Sequence, residues 1–171
     1  MTGKEESGSL SHVAADGTAK MVDVTVKPDT SRMARATGSI RMSRDAYEAI
    51  RSNSVRKGDV LGVARVAGIM AAKRTSELIP LCHPLPLHDI SVVLTPDPAL
   101  PGVRVEVTAR TIGKTGVEME ALTGASIALL TVYDMAKALD KGMVLSDISL
   151  AAKVGGKGGD YARLDGTGRA P

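Results

Sequence analysis

Thirteen consecutive residues, Ala121–Tyr133, carry no charge, while Glu118 and Glu120 stand just before them and Asp134, Lys137 and Lys141 just after. The spacing predicts one long helix over Gly116–Lys141, apolar all round in its middle. A helix of that kind is expected to be buried against more than one neighbour. Asp134 and Lys137 are three residues apart and share a face near its end. A carboxylate and an amine held beside a buried surface can transfer protons. Equally, acids at a helix start and lysines at its end complement the macrodipole. Both readings stand at this point.

Distance sharpens the choice. Glu120 and Asp134 are fourteen residues apart, roughly 21 Å along a straight helix. They cannot both touch one small reacting centre within one chain. An antiparallel, two-fold-related copy would bring Glu120 of one subunit towards Asp134 of the other. Catalysis by this helix therefore predicts an oligomer with composite sites.

The core must be built without large rings. The 171 residues include no Phe or Trp and only three Tyr, so Val, Ile, Leu, Met and Ala fill one domain of this size. Such a shortage of aromatic residues argues against base-stacking nucleic-acid modules. From Lys20 to Arg74, twelve Lys/Arg face five Asp/Glu, a local excess of seven positive charges against +3 for the whole chain. That region suggests a phosphate-bearing partner, and its scattered charges fit a small anionic ligand as well as a long polymer. One cysteine, Cys82, allows no intrachain disulfide and points to a reducing compartment. No basic-then-apolar leader opens the sequence and no apolar stretch reaches membrane-spanning length, so a cytoplasmic location is expected.

Along the chain, residues 1–18 are polar and Gly/Ser-rich, and a flexible N-terminal segment is expected there. Met21–Lys27 alternates as a strand does, placing Asp23 and Thr25 on one face. Ala34–Met42 reads as another strand, and Ser43 as the N-cap of a short helix to about Ile50. Lys57-Gly58-Asp59 introduces a helix over about Val60–Leu78, rich in Gly and Ala for close approach and stopped by Pro80. Ile90–Thr95 and Val103–Ile112 alternate as antiparallel strands around the turn Pro96–Gly102. The long helix follows, then a strand near Val144–Lys153 and a Gly-rich tail, residues 154–171, expected to be mobile. The order from Ala34 is βαββαβ. It predicts an α+β, ferredoxin-like subunit over residues 19–153, with an antiparallel sheet and helices on one face.

Three further places bear on chemistry. Leu81-Cys82-His83-Pro84 places a His after a Cys in a proline-pinned loop. Metal binding is the tempting reading, but adjacent ligands without CxxC or HxxxH spacing signal it weakly, even with His88 nearby. A substrate contact and an ordinary hydrogen-bonded loop histidine fit equally. The stretch from Lys153 to Asp160 resembles a phosphate-clasping glycine loop, yet it fails as a Walker A because Ala151 stands five before Gly156 and Lys157 precedes a glycine. A loop that closes over ligand with Lys153 and a plain tail remain open alternatives. Lys57 precedes a long helix; in a partly dry cleft beside other cations its ammonium would give up a proton more readily, and otherwise it is a surface lysine.

Taken together, AKMVDVTVK (Ala19–Lys27), KGDV (Lys57–Val60), ARVAGIMAAKRTSELIPLCHPL (Ala64–Leu85), GKTGVEMEALT (Gly113–Thr123), VYDMAKALDKGMV (Val132–Val144) and AKVGGKGGD (Ala152–Asp160) resemble the cyclic pyranopterin monophosphate synthase family, the molybdenum cofactor biosynthesis protein C family. The likeness spans about residues 10–161, and LIPLCHPL and TGVEMEALT are its most specific parts. The resemblance implies a lyase that converts 3′,8-cyclo-7,8-dihydro-GTP into cyclic pyranopterin monophosphate and pyrophosphate. It implies a homohexamer, a trimer of dimers, with sites at the dimer interface. On the matching positions, Asp134 is implied as the acid/base, with Lys137 and Lys57 as its partners in proton transfer. Leu81, Cys82 and His83 fall on one substrate-binding segment, Met119 and Glu120 on a second, and Asp23, Lys27, Arg32, Lys73, Glu118 and Lys153 complete the pocket. No resident cofactor or metal is implied, although Mg²⁺ can accompany a triphosphate, and neither a nucleic-acid polymer nor a membrane is an expected partner. Two rival readings are a non-catalytic nucleotide-binding assembly protein and a metal-dependent cyclohydrolase using Cys82 and His83.

Overall fold

The computed structural model describes residues 16–156 and 158–164. In chain order they form β1 (Thr30–Arg41), α1 (Arg44–Arg51), α2 (Val60–Lys73), α3 (Thr75–Leu78), β2 (Asp89–Asp97), β3 (Gly102–Gly113), α4 (Glu118–Ala136), β4 (Val144–Val154) and β5 (Tyr161–Ala162). All neighbouring strands pair antiparallel, in the order β2-β3-β1-β4-β5. Strands β1 and β3 thus lie side by side inside the sheet, which is the ferredoxin-like split arrangement. Pro96 sits on the edge strand β2, where a missing N–H costs no ladder bond on the open side.

Sheet and helices meet through small and branched side chains. Ala34, Ala36 and Ile40 of β1 and Val103, Val105, Val107 and Ala109 of β3 present one face, each 0–2 % exposed. Against it lie Ala121, Ala125, Ala128, Leu129 and Val132 of α4 and Ala64 of α2, all buried. The opposite alternation leaves Val93 and Ile112 outside. Ser43 caps α1 by accepting from the Ala46 N–H, and Asp59 caps α2 by accepting from Gly62.

The two long helices cross where each carries a glycine. A Cβ on Gly68 would lie 3.0 Å from the Gly124 carbonyl, and one on Gly124 would lie 3.2 Å from the Gly68 carbonyl. Backbone touches backbone there, so neither position tolerates a branched residue. Gly124→Val is expected to lower the urea midpoint, by about 1–3 kcal/mol of overpacking and χ1 restriction. Unchanged unfolding would show that the helices can separate freely.

Several expectations are corrected. Met21–Lys27 is not a strand: the Asp23 carboxylate accepts the Thr25 N–H, and the Lys27 N–H bonds to the Val24 carbonyl, so the segment curls into turns. The second helix ends at Lys73; Arg74 leaves helical geometry before α3. The long helix is Glu118–Ala136, shorter at both ends than Gly116–Lys141. The expected tail is partly ordered, since Val154 ends β4 and Tyr161–Ala162 pair with Lys153 and Ala152. Apart from Asp16–Thr18, the N-terminal segment expected over 1–18 lies outside the described residues, as do Lys157 and residues 165–171. Among the described residues, no helix is long and apolar enough to cross a membrane.

Candidate active site

Because Lys57 precedes α2 and packs at the far end of α4, the two helices run antiparallel. Chemistry-bearing residues therefore collect at two ends of one helix pair.

At the C-terminal end of α4, Asp134 is clasped by two lysines. Lys137 Nζ lies 2.7 Å from Oδ1, and Lys57 Nζ lies 2.9 Å from Oδ2 and 2.8 Å from the Asp134 carbonyl oxygen. Hydrogen bonds from Lys137 and then Lys57, reinforced by their charges, hold the Asp134 carboxyl down at about 2. The same contact raises Lys137. Lysines at this helix terminus also meet its partial negative charge. Lys57 is thus bound to a carboxylate at the surface, not set among cations in a dry cleft. At neutral pH the carboxylate is ionised and Lys137 keeps its proton, so the cluster rests as an ion pair.

At the N-terminal end lies a cavity of about 840 Å³. Among the described residues, Lys27, Arg32, Lys114 and Lys153 line it with one carboxylate, Glu118, together with Gly155, Gly156 and Gly158. Glu118 Oε1 is 3.1 Å from Lys153 Nζ. Arg32, 9 % exposed, donates to the carbonyls of Gly113 at 3.3 Å and Lys114 at 3.5 Å. A Cβ on Gly156, whose φ is +94°, would meet Arg32 Nη1 at 2.1 Å, so only glycine fits over that guanidinium. The side chains add up to three positive charges in excess, the composition of an anion pocket.

Two residues along α4 from the cavity-lining Glu118, Glu120 is 4 % exposed, and burial, with a smaller push from Glu118, raises its carboxyl to about 6. Burial, and secondly the Glu120 charge, raises the Cys82 thiol, which stays protonated and a poor nucleophile at neutral pH. His83 Nε2 lies 2.9 Å from the Val22 carbonyl, which can only accept, so Nε2 carries the proton. Among the described residues, no three His, Cys, Asp or Glu side chains gather as a metal-binding group.

The structure thus brings Lys27, Arg32, Glu118 and Lys153 together, and separately Lys57, Asp134 and Lys137. Asp23 is occupied by its own turn, Lys73 is exposed at the last position of α2, Leu81 is half-buried in its loop, and Met119 is exposed on the first turn of α4. The triad and Glu118 stand sixteen residues apart along α4, roughly 24 Å. Lys114 and the Thr115-Gly116 turn escaped sequence reasoning. A lysine between glycines directly before a helix was the signal available.

A sequence profile described as the MoaC family matches residues 21–156, which holds both clusters. The chain belongs to the MoaC family. Three curated relatives bear the name cyclic pyranopterin monophosphate synthase. One from Nostoc sp. is 55 % identical over 92 % of this chain and 94 % of its own length. One from Cereibacter sphaeroides is 56 % identical over 89 % and 96 %, and one from Trichodesmium erythraeum is 54 % identical over 90 % and 92 %. The match runs along nearly the whole length of each of these MoaC-family relatives.

Proposed function

We infer that this chain is a cyclic pyranopterin monophosphate synthase of molybdenum cofactor biosynthesis, a lyase acting on the small molecule 3′,8-cyclo-7,8-dihydro-GTP. One observation carries the reading of how it works: the cation-lined cavity and the Lys57–Asp134–Lys137 cluster occupy opposite ends of the same helix. Each is half of what the reaction needs. Two protomers meeting head to tail supply both halves to one substrate, and a trimer of such dimers is the homohexamer.

The reaction opens and rebuilds a purine-derived ring, then lets a sugar hydroxyl attack the inner phosphorus as pyrophosphate leaves. Lys27, Arg32 and Lys153 hold the phosphates and stabilise charge developing on the leaving group. Glu120 accepts the N–H donors of the base, beside the segment Leu81–His83 and Met119. Asp23 and Lys73 are assigned to the pocket on the family's pattern alone, and Glu118, 3.1 Å from Lys153 Nζ, sets the direction of Lys153. Lys137 and Lys57 deliver protons, and Asp134 becomes a competent base once their charges turn towards the substrate. The reading calls for no resident cofactor, and Mg²⁺ can accompany the triphosphate. A single cysteine and a small diffusible substrate suit the cytoplasm.

Incubation with the cyclised dihydro-GTP should yield the cyclic monophosphate and pyrophosphate by mass spectrometry, while GTP itself returns unchanged. Asp134→Ala should cut turnover by at least about 10²–10⁴-fold while leaving the assembly folded. A ligand that binds but emerges intact would make the protein a nucleotide-binding assembly factor instead.

A further inference from the structure

The segment Met21–Asp29 contains no buried residue, and Val26 is 93 % exposed. Its apolar packing is limited to the half-buried Val22 and Val24. Yet it brings Lys27 and Pro28 to the wall of the cavity. Two side chains from outside the segment tie it down through its backbone: His83 Nε2 at the Val22 carbonyl, and Lys114 Nζ, 2.6 Å from the Thr25 carbonyl. Between these ties the Asp23 turn and the bond from Lys27 N–H to Val24 make the strap internally rigid. Lys114 is itself steadied, since Arg32 donates to the carbonyls of Gly113 and Lys114. Among the described residues, its ammonium lies within ion-pair distance of no carboxylate.

We propose that Lys114 is a positioning residue: its ammonium holds the strap at Thr25 so that Lys27 faces the anionic end of the substrate. The proposal rests on the reading above for what fills the cavity, but the tie between Lys114 and the strap exists without substrate. A charge-assisted bond to a carbonyl is worth more than a neutral one, and the strap has few other attachments to share the load. Losing it frees Lys27 to swing into water, so that ordering the strap must be repeated each time substrate binds.

The test compares Lys114→Met, which keeps the stem and removes the donor, with Lys114→Arg, which restores one. Hydrogen exchange of the peptide covering residues 21–27 in the substrate-free assembly should speed up about tenfold in Lys114→Met and return towards wild type in Lys114→Arg. KM should rise about tenfold or more in Lys114→Met with a smaller change in kcat, and Lys114→Arg should recover most of it. Exchange at 21–27 that stays at the wild-type rate in Lys114→Met overturns the proposal, whatever happens to KM. A raised KM with unchanged exchange would make Lys114 a direct ligand contact. Because exchange is read without turnover, a wrong substrate would leave this result intact.

Discussion

Asp134→Ala and Lys153→Ala, each inactive alone, are expected to regain activity when unfolded together and refolded as a mixture. The two side chains sit at opposite ends of the α4–β4 framework: Lys153 beside Glu118 at the helix start, Asp134 in its last turn. Sixteen residues of helix between Glu118 and Asp134 keep the clusters roughly 24 Å apart, beyond the reach of a single nucleotide's reacting atoms. If each site draws its phosphate-binding cations from one protomer and its proton-transfer group from the next, a mixed dimer contains one site with neither lesion and one with both. Random pairing of equal amounts then restores about a quarter of the wild-type sites. Turnover after co-refolding is the measurement, with separately refolded variants as the baseline. No recovery from a properly assembled mixture would place all the reacting groups within one protomer, and the head-to-tail arrangement would be lost.

Much of this was legible in the residues. The uncharged run of α4 and the alternations of β2 and β3 locate those elements to within a few positions, because burial on a helix face or sheet face enforces a period. The same logic failed for Met21–Lys27, where alternation is present but no sheet edge receives it. There the side chain of Asp23 captured the backbone first. The second helix was overextended because its break at Arg74 is followed by another helical turn, α3; at the break Thr75 Oγ1 donates to the Ala72 carbonyl, a local bond that the apolar pattern does not reveal. The Asp134–Lys137 pair followed from spacing alone, since a helix fixes that geometry locally. The arrival of Lys57 at the same carboxylate did not, because a contact across 77 residues depends on how α2 and α4 cross. The cavity was still less visible. It is assembled from the ends of β1, β3, β4 and α4, and a loop lysine such as Lys114 acquires a role only when those ends converge.

Glu120→Gln is expected to separate stability from function. The folded protein holds this carboxyl at about 6, against an ordinary 4.5, chiefly because its side chain is 4 % exposed at the buried start of α4. A group whose folded value is raised binds its proton more tightly when folded. Its contribution to stability is therefore favourable below about 4.5, fades as pH rises from there to about 6, and is fully lost above. At neutral pH the ionised carboxylate costs about 2 kcal/mol relative to a neutral group in the same place. Glutamine keeps the shape and removes the charge. The wild type should lose stability between pH 4.5 and 6, and Glu120→Gln should not, ending up to about 2 kcal/mol more stable at pH 7. Urea midpoints across that range test it. Turnover should move the other way, since the amide can still accept one hydrogen bond but cannot neutralise or receive a proton from the base. Loss of stability at pH 7 in Glu120→Gln would mean instead that the charge is already matched in the assembled oligomer, by a cation from the neighbouring protomer.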